Sequence, residues 1–187
     1  MVKLGLKPLK RNKRKYSSYK GTVDKPNKKW YTDVTEFNLR GEKIYLSPII
    51  DGFNQEVKSY DISKSPNLEQ INHMLNIAFT ENPNLDGLIF HSDQGWQYQH
   101  QSYQQQLKNK GIRQSMSRKG NSMDNGLMEN FFGILKTEMF YDQEDNYKTI
   151  DDLINAIKDY IYYYNHDRIK VKLKGLSPVN YRLQSSN

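Results

Sequence analysis

Leu88-Ile89-Phe90 is the run that narrows the fold most. Bounded by Gly87 and by polar residues, it reads as a short strand buried on both faces, which requires helices on either side of a sheet. The run leads into HSDQGWQYQHQSYQQQLKNKGIRQSMSRKGNSMDNGLMENFFGILK, the stretch from His91 to Lys136. Asp93 stands just past the strand, at the C-terminal end where sites in α/β sheets tend to open. Glu129 falls on the next long helical pattern. The two carboxylates together suggest a split metal site.

Upstream, Trp30 to Phe37 alternates, with Tyr31, Asp33, Thr35 and Phe37 on one face, and reads as a single strand. The turn signal NLRGE joins it to KIYLSPII in a hairpin, and EVKSYDIS supplies a third strand. Leu68, Ile71, Leu75, Ala78 and Phe79 are spaced as a helix, stopped by Pro83. Tyr98 to Lys110 reads as one Gln-rich helix ended by Gly111, followed by a short strand near Ile112 to Met116. Met128, Phe131, Phe132, Leu135 and Met139 form the apolar stripe of a further helix, with Asp124 or Asn125 as its N-cap. A last long helix spans Thr149 to Tyr164, and Ser177-Pro178 starts another. This order predicts an α/β fold with a mixed five-stranded sheet flanked by helices, and an extra C-terminal helical segment.

A chain of 187 residues closes one core of ordinary size. The expected organisation is a basic arm over residues 1–28, a core over 29–145, and a C-terminal helix with a basic tail over 146–187. Cysteine is absent, which leaves carboxylate and imidazole as metal ligands and favours hard cations. No run is long and apolar enough for a membrane span, and the N-terminus lacks the apolar stretch of a signal peptide, so a cytoplasmic protein with no membrane partner is expected. The formal charge is only +7, yet residues 1–29 hold eleven Lys or Arg against Asp24 alone, and residues 165–187 hold five against Asp167. The centre is therefore acidic. Carboxylates that collect cations between basic ends that hold phosphate suit a metal-using enzyme acting on a polyanion; a solvated basic tail is the other reading.

Asp33 sits mid-strand, where a carboxylate is paired, solvated or bound to a cation. Ser92-Asp93 has the plainer reading of a cap. Glu129 and Lys136 are seven residues apart, nearly two helical turns, and so share a face without pairing directly. The histidines are scattered, and there is no HExxH, GxSxG, GxxxxGK[ST] or GxGxxG, which argues against zinc hydrolysis, a hydrolase triad and nucleotide-driven chemistry.

Taken together, WYTDVTEF, IFHSDQGWQY and GNSMDNGLMENFFGILKTE resemble the catalytic core of DDE transposases and retroviral integrases, including the 35 residues between Asp93 and Glu129. The tail YNHDRIKVKLKGLSPVNYR is similar to the C-terminal motif of insertion-sequence transposases of the IS-three group, through Tyr164-Asn165, Arg168, Leu176, Ser177-Pro178 and Tyr181. This resemblance implies a ribonuclease-H-like fold with Asp33, Asp93 and Glu129 as catalytic metal ligands for two Mg²⁺ or Mn²⁺ ions. It implies DNA nicking by water and strand transfer by a 3′-OH. Lys136 matches the family's basic residue beyond the Glu, and Arg118, Lys119 and Arg168 are further cations expected on DNA. His91, Ser92, Gly95, Gln97 and Tyr98 would shape the site. The implied partners are insertion-sequence ends, target DNA, further copies of the chain on DNA and the upstream reading-frame protein, in the bacterial cytoplasm at the nucleoid. Family members carry upstream helix-turn-helix elements, so a truncated remnant that binds DNA or modulates a full-length transposase is the alternative; a cellular ribonuclease H is a third.

Overall fold

The computed structural model describes residues 21–117 and 125–185. Four antiparallel strands come first: β1 (Lys29–Thr32) and β2 (Thr35–Leu39) both pair with β3 (Glu42–Asp51), and β4 (Val57–Ser63) pairs with the other edge of β3. Helix α1 (Leu68–Glu81) then crosses to β5 (Ile89–Ser92), which lies parallel to β1. Helices α2 (Trp96–Gln99) and α3 (Gln101–Asn109) lead to β6 (Arg113–Met116), parallel to β5. Two long helices, α4 (Gly126–Met139) and α5 (Ile150–His166), and the short α6 (Pro178–Ser185) complete the chain.

The sheet has six strands rather than the expected five, because the run from Trp30 to Phe37 is broken. Both halves keep one register against β3, with Thr32 opposite Ile49 and Thr35 opposite Leu46. In that register Asp33 faces Pro48, which has no N–H to offer a ladder. The Val34 N–H is used by Asp33 itself, which accepts it on Oδ1 at 2.8 Å. Asp33 therefore lies in a two-residue gap between strands and not mid-strand. The hairpin that follows is tight: Arg40 and Gly41 both have positive φ, the backbone that a two-residue turn between twisted strands requires.

Each face of the sheet buries its own cluster. Phe37, Leu39, Ile44, Leu46 and Ile50 pack against Met128, Phe131 and Leu135 of α4 and Leu153, Ile157 and Ile161 of α5. Trp30, Ile49 and Phe90 pack on the opposite face against α1 and α3. Ile49 and Ile50 are neighbours on opposite faces, as the two-residue period of a strand dictates. α5 thus shares one core with the sheet and α4. Its start is fixed by Thr149, which accepts the Asp152 N–H while the Asp152 side chain accepts the Thr149 N–H.

The expected single helix from Tyr98 to Lys110 is two. His100 adopts extended backbone (φ −68°, ψ 139°) and its ring nitrogen accepts the Ser102 N–H, which ends α2 and caps α3. α3 stops at Gly111, whose φ of +69° suits glycine and where a Cβ would lie 2.1 Å from Asp86 Oδ1. No helix among the described residues is long and apolar enough to cross a membrane.

Candidate catalytic site

Asp33 and Asp93 are brought together by strand register. β1 and β5 run parallel with Tyr31 beside His91, so two residues further on Asp33 and Asp93 come level at the C-terminal ends of adjacent strands. Tyr31 packs on the α4 side of the sheet and its ring lies 5.4 Å from that of His91, so positions 33 and 93 follow on that side. Glu129 stands on the exposed side of the first turn of α4.

Two of the three carboxylates are oriented by backbone. Asp33 Oδ1 accepts the Val34 N–H and Oδ2 accepts Asn125 Nδ2 at 3.3 Å; Asp93 Oδ1 accepts the Gly95 N–H at 2.8 Å. Burial pushes the Asp33 carboxyl up to about 6, and the nearby negative charges of Asp93 and Glu129 push in the same direction, against the Val34 and Asn125 hydrogen bonds. Among the described residues, no three His, Asp or Glu side chains stand close enough to hold an ion as they are. Oxygen-rich, cysteine-free and mutually repelling, the three acids nonetheless suit a hard divalent cation.

The residues beside the acids serve as supports. His91 is fully buried, with Nδ1 2.9 Å from Ser115 Oγ and Nε2 3.1 Å from Ser117 Oγ, so it links β5 to the end of β6. Gln94 Nε2 donates to the Ser117 carbonyl, and Ser92 Oγ to the Asp93 carbonyl. Tyr98 is buried beneath, its hydroxyl raised well above the usual range by burial.

Lys136 donates to the Glu36 carbonyl at 2.7 Å and lies over the Phe37 ring, and burial lowers its pKa. Arg168 forms a fork on Glu138, with Nε at 2.9 and 3.1 Å from the two carboxylate oxygens, and Tyr160 donates to the same carboxylate at 2.7 Å. Arg118, Lys119 and Asp124 lie outside the described residues. Asn125 occupies the N-cap position expected of it, but its side chain makes no cap hydrogen bond and spends its amide on Asp33 instead. That use was hidden in the sequence, because a polar residue ahead of an apolar stripe reads first as a cap.

The tail motif fastens the C-terminus to the β3–β4 hairpin. The Asn165 amide bonds both the N–H and the carbonyl of Val57 at 2.9 and 3.0 Å, covering the edge of β4. Arg182 pairs with Glu56 at 2.7 Å, and the Pro178 carbonyl accepts Asn54 Nδ2. Lys170 is buried against Tyr164 and Gln55, and burial, helped by the Arg168 charge, pushes its ammonium down to about 7.

The sequence matches the integrase core domain family over residues 23–122, and a second integrase core domain family over 129–185. The chain belongs to the integrase core family. Its relatives are insertion-sequence transposases, and the IS-three group is its place among them. An uncharacterized transposase-like protein of Haemophilus influenzae is 50% identical, over 98% of this chain and 90% of that one. A putative transposase for insertion sequence element IS150 of Escherichia coli is 48% identical, over 99% of this chain and 69% of that one. The HTLV-2 integrase catalytic core domain, solved in complex with magnesium, superposes with a TM-score of 0.68 at 22% identity, over 84% of this chain and 97% of that one. The ribonuclease-H-like fold is thereby shown for this integrase core.

Proposed function

We propose that this integrase core is the catalytic domain of a DNA transposase, nicking insertion-sequence ends and joining the exposed 3′-OH to target DNA. The observation that carries the reading is the level placement of Asp33 and Asp93 on adjacent parallel strands, with Glu129 close enough for its charge to raise the Asp33 carboxyl. Asp33, Asp93 and Glu129 would hold the divalent ions. Bound there, Mg²⁺ or Mn²⁺ supplies Lewis-acid stabilisation of the attacking and leaving oxygens. The protein's own part is to orient. Val34 and Gly95 hold one oxygen each of Asp33 and Asp93, while Glu129 stands exposed on α4.

An ammonium has three donors, and the Glu36 carbonyl takes one from Lys136, leaving donors for a DNA phosphate. Arg118 and Lys119 are proposed to add phosphate contacts. The Arg168 fork already sits on Glu138, so we assign Arg168 to the fold. DNA ends, target DNA and further copies of the chain are the proposed partners.

Nicking of intact element ends in Mn²⁺ tests the reading. Asp33→Ala, Asp93→Ala and Glu129→Ala should each abolish cleavage, and a wild-type rate in any of them refutes the assignment. Lys136→Ala should weaken DNA binding and flatten its salt dependence by about one unit of slope. DNA binding without metal-dependent cleavage in the wild-type chain would favour the remnant reading, and preferential cleavage of RNA–DNA hybrids the ribonuclease H.

A further inference from the structure

Asn125 is the polar residue that the proposed chemistry leaves without a part. It is 4% exposed and stands immediately before α4. Its Nδ2 donates to Asp33 Oδ2, a residue 92 positions away in sequence. Its Oδ1 is buried and has no hydrogen-bond partner among the described residues. The chemistry of the pair sets this orientation: an ionised carboxylate only accepts, so the amide turns its NH₂ to Asp33 and its carbonyl away. A buried carbonyl with nothing to accept costs about 1–3 kcal/mol, and beside a group of acids it marks a place where a donor belongs.

We propose that Asn125 is a positioning residue for the metal-binding carboxylates, holding Asp33 through Nδ2 and offering Oδ1 to the water shell of a bound cation. The inference rests on the reading of Asp33, Asp93 and Glu129 as metal ligands. With Oδ1 on the Val34 N–H and Oδ2 on Asn125, the Asp33 carboxylate is held from both ends. Glu129 follows Asn125 by four residues, about one turn of α4. One hydrogen bond therefore ties the first acid to the helix that carries the third. Such outer hydrogen-bond partners of ligating groups typically change metal affinity by about 10–100-fold. Exchange of Asn125 for an apolar residue removes a donor to Asp33 but also removes the orphaned carbonyl. The effect on the metal-free fold is accordingly small while the effect on the metal is not.

The test titrates Mn²⁺ into the full chain by calorimetry, and measures the thermal midpoint in EDTA, for wild type, Asn125→Leu, Asn125→Ala and Asp33→Ala. Both Asn125 variants should keep the wild-type midpoint within about 2 °C, bind Mn²⁺ about 10–100-fold more weakly, and lose kcat for nicking with KM for DNA unchanged. Mn²⁺ affinity within about twofold of wild type in either folded variant overturns the proposal. So does a fall in midpoint in both variants that accounts for the lost binding, which would make Asn125 a structural residue only. Asp33→Ala separates the two readings. If it binds Mn²⁺ like wild type, the ligand assignment itself fails; if it loses Mn²⁺ while the Asn125 variants do not, only the positioning role fails.

Discussion

Asp33→Asn should make the metal-free protein more stable while removing its activity. The Asp33 carboxyl titrates at about 6 in the folded chain against 3.8 for an ordinary aspartate, chiefly because it is buried and secondly because Asp93 and Glu129 are near. A folded pKa above the unfolded one means that the folded chain holds the proton longer. Stability is therefore greatest below 3.8, falls as pH rises through the window to about 6, and stays lowered above it. At about 1.36 kcal/mol per pH unit the gap is worth about 3 kcal/mol. The carboxylate is partly open to water, which screens it, so about 1–3 kcal/mol is the working range. For a chain of this length that is about 2–4 °C in thermal midpoint for each kcal/mol. The assay is thermal unfolding in EDTA at about pH 8 and about pH 4, wild type against variant. The variant should melt higher at the upper pH and lose its advantage at the lower. A variant no more stable than wild type at the upper pH, or an advantage that does not shrink on acidification, refutes the account of Asp33 as a desolvated, repelled charge. Added Mn²⁺ should raise the midpoint of the wild type and not of the variant.

Two further predictions concern the C-terminal fastening. Asn165→Leu strips two buried hydrogen bonds from Val57 and should cost about 2–4 kcal/mol, read as a lower urea midpoint with an unchanged slope. A change below about 0.5 kcal/mol would show that Asn165 does not secure the β4 edge. Lys170→Met should help most in mildly acidic buffer: the folded ammonium titrates at about 7 instead of 10.5, so charging it costs stability in full below about 7, and that cost fades as pH rises toward 10.5. Thermal midpoints across that window check the sign, and a gain that grows with pH refutes it.

Much of the fold was legible where one period dominated. The stripe of Met128, Phe131, Leu135 and Met139 is the buried side of α4, and the alternation that put Tyr31, Asp33 and Phe37 on one face is the alternation observed, since Tyr31 and Phe37 both reach the α4 and α5 cluster. What the sequence hid depends on partners far along the chain. The break after Thr32 involves Pro48, which local alternation does not sense. The division of the Gln-rich helix turns on one backbone angle at His100, a residue whose helix propensity is unremarkable in isolation. Lys136 and Arg168 read as cations for DNA, yet Lys136 gives one donor to the Glu36 carbonyl and the Arg168 fork sits on Glu138, across gaps of 100 and 30 residues. The separation of Asp93 from Glu129 was visible as a number, but that Asp33 stands level with Asp93 follows only from the parallel pairing of β1 with β5.

The break in the first strand is what lets one sheet hold both a dry core and a charged site. An intact ladder through Asp33 would leave its carboxylate on the same face, which α4 covers, but with the Val34 N–H engaged elsewhere. Opening a gap of two residues releases that N–H to the carboxylate, which partly offsets the cost of burying it. Because β2 resumes in the same register, Phe37 and Leu39 still reach the core and stay fully or almost fully buried. The remaining cost of the buried charge is visible in the raised Asp33 pKa, and a cation shared with Asp93 and Glu129 would cancel it. The cost of the Asp33 charge and its relief by a proposed cation would thus share one cause, which is why the Asp33→Asn comparison in EDTA and in Mn²⁺ reads both.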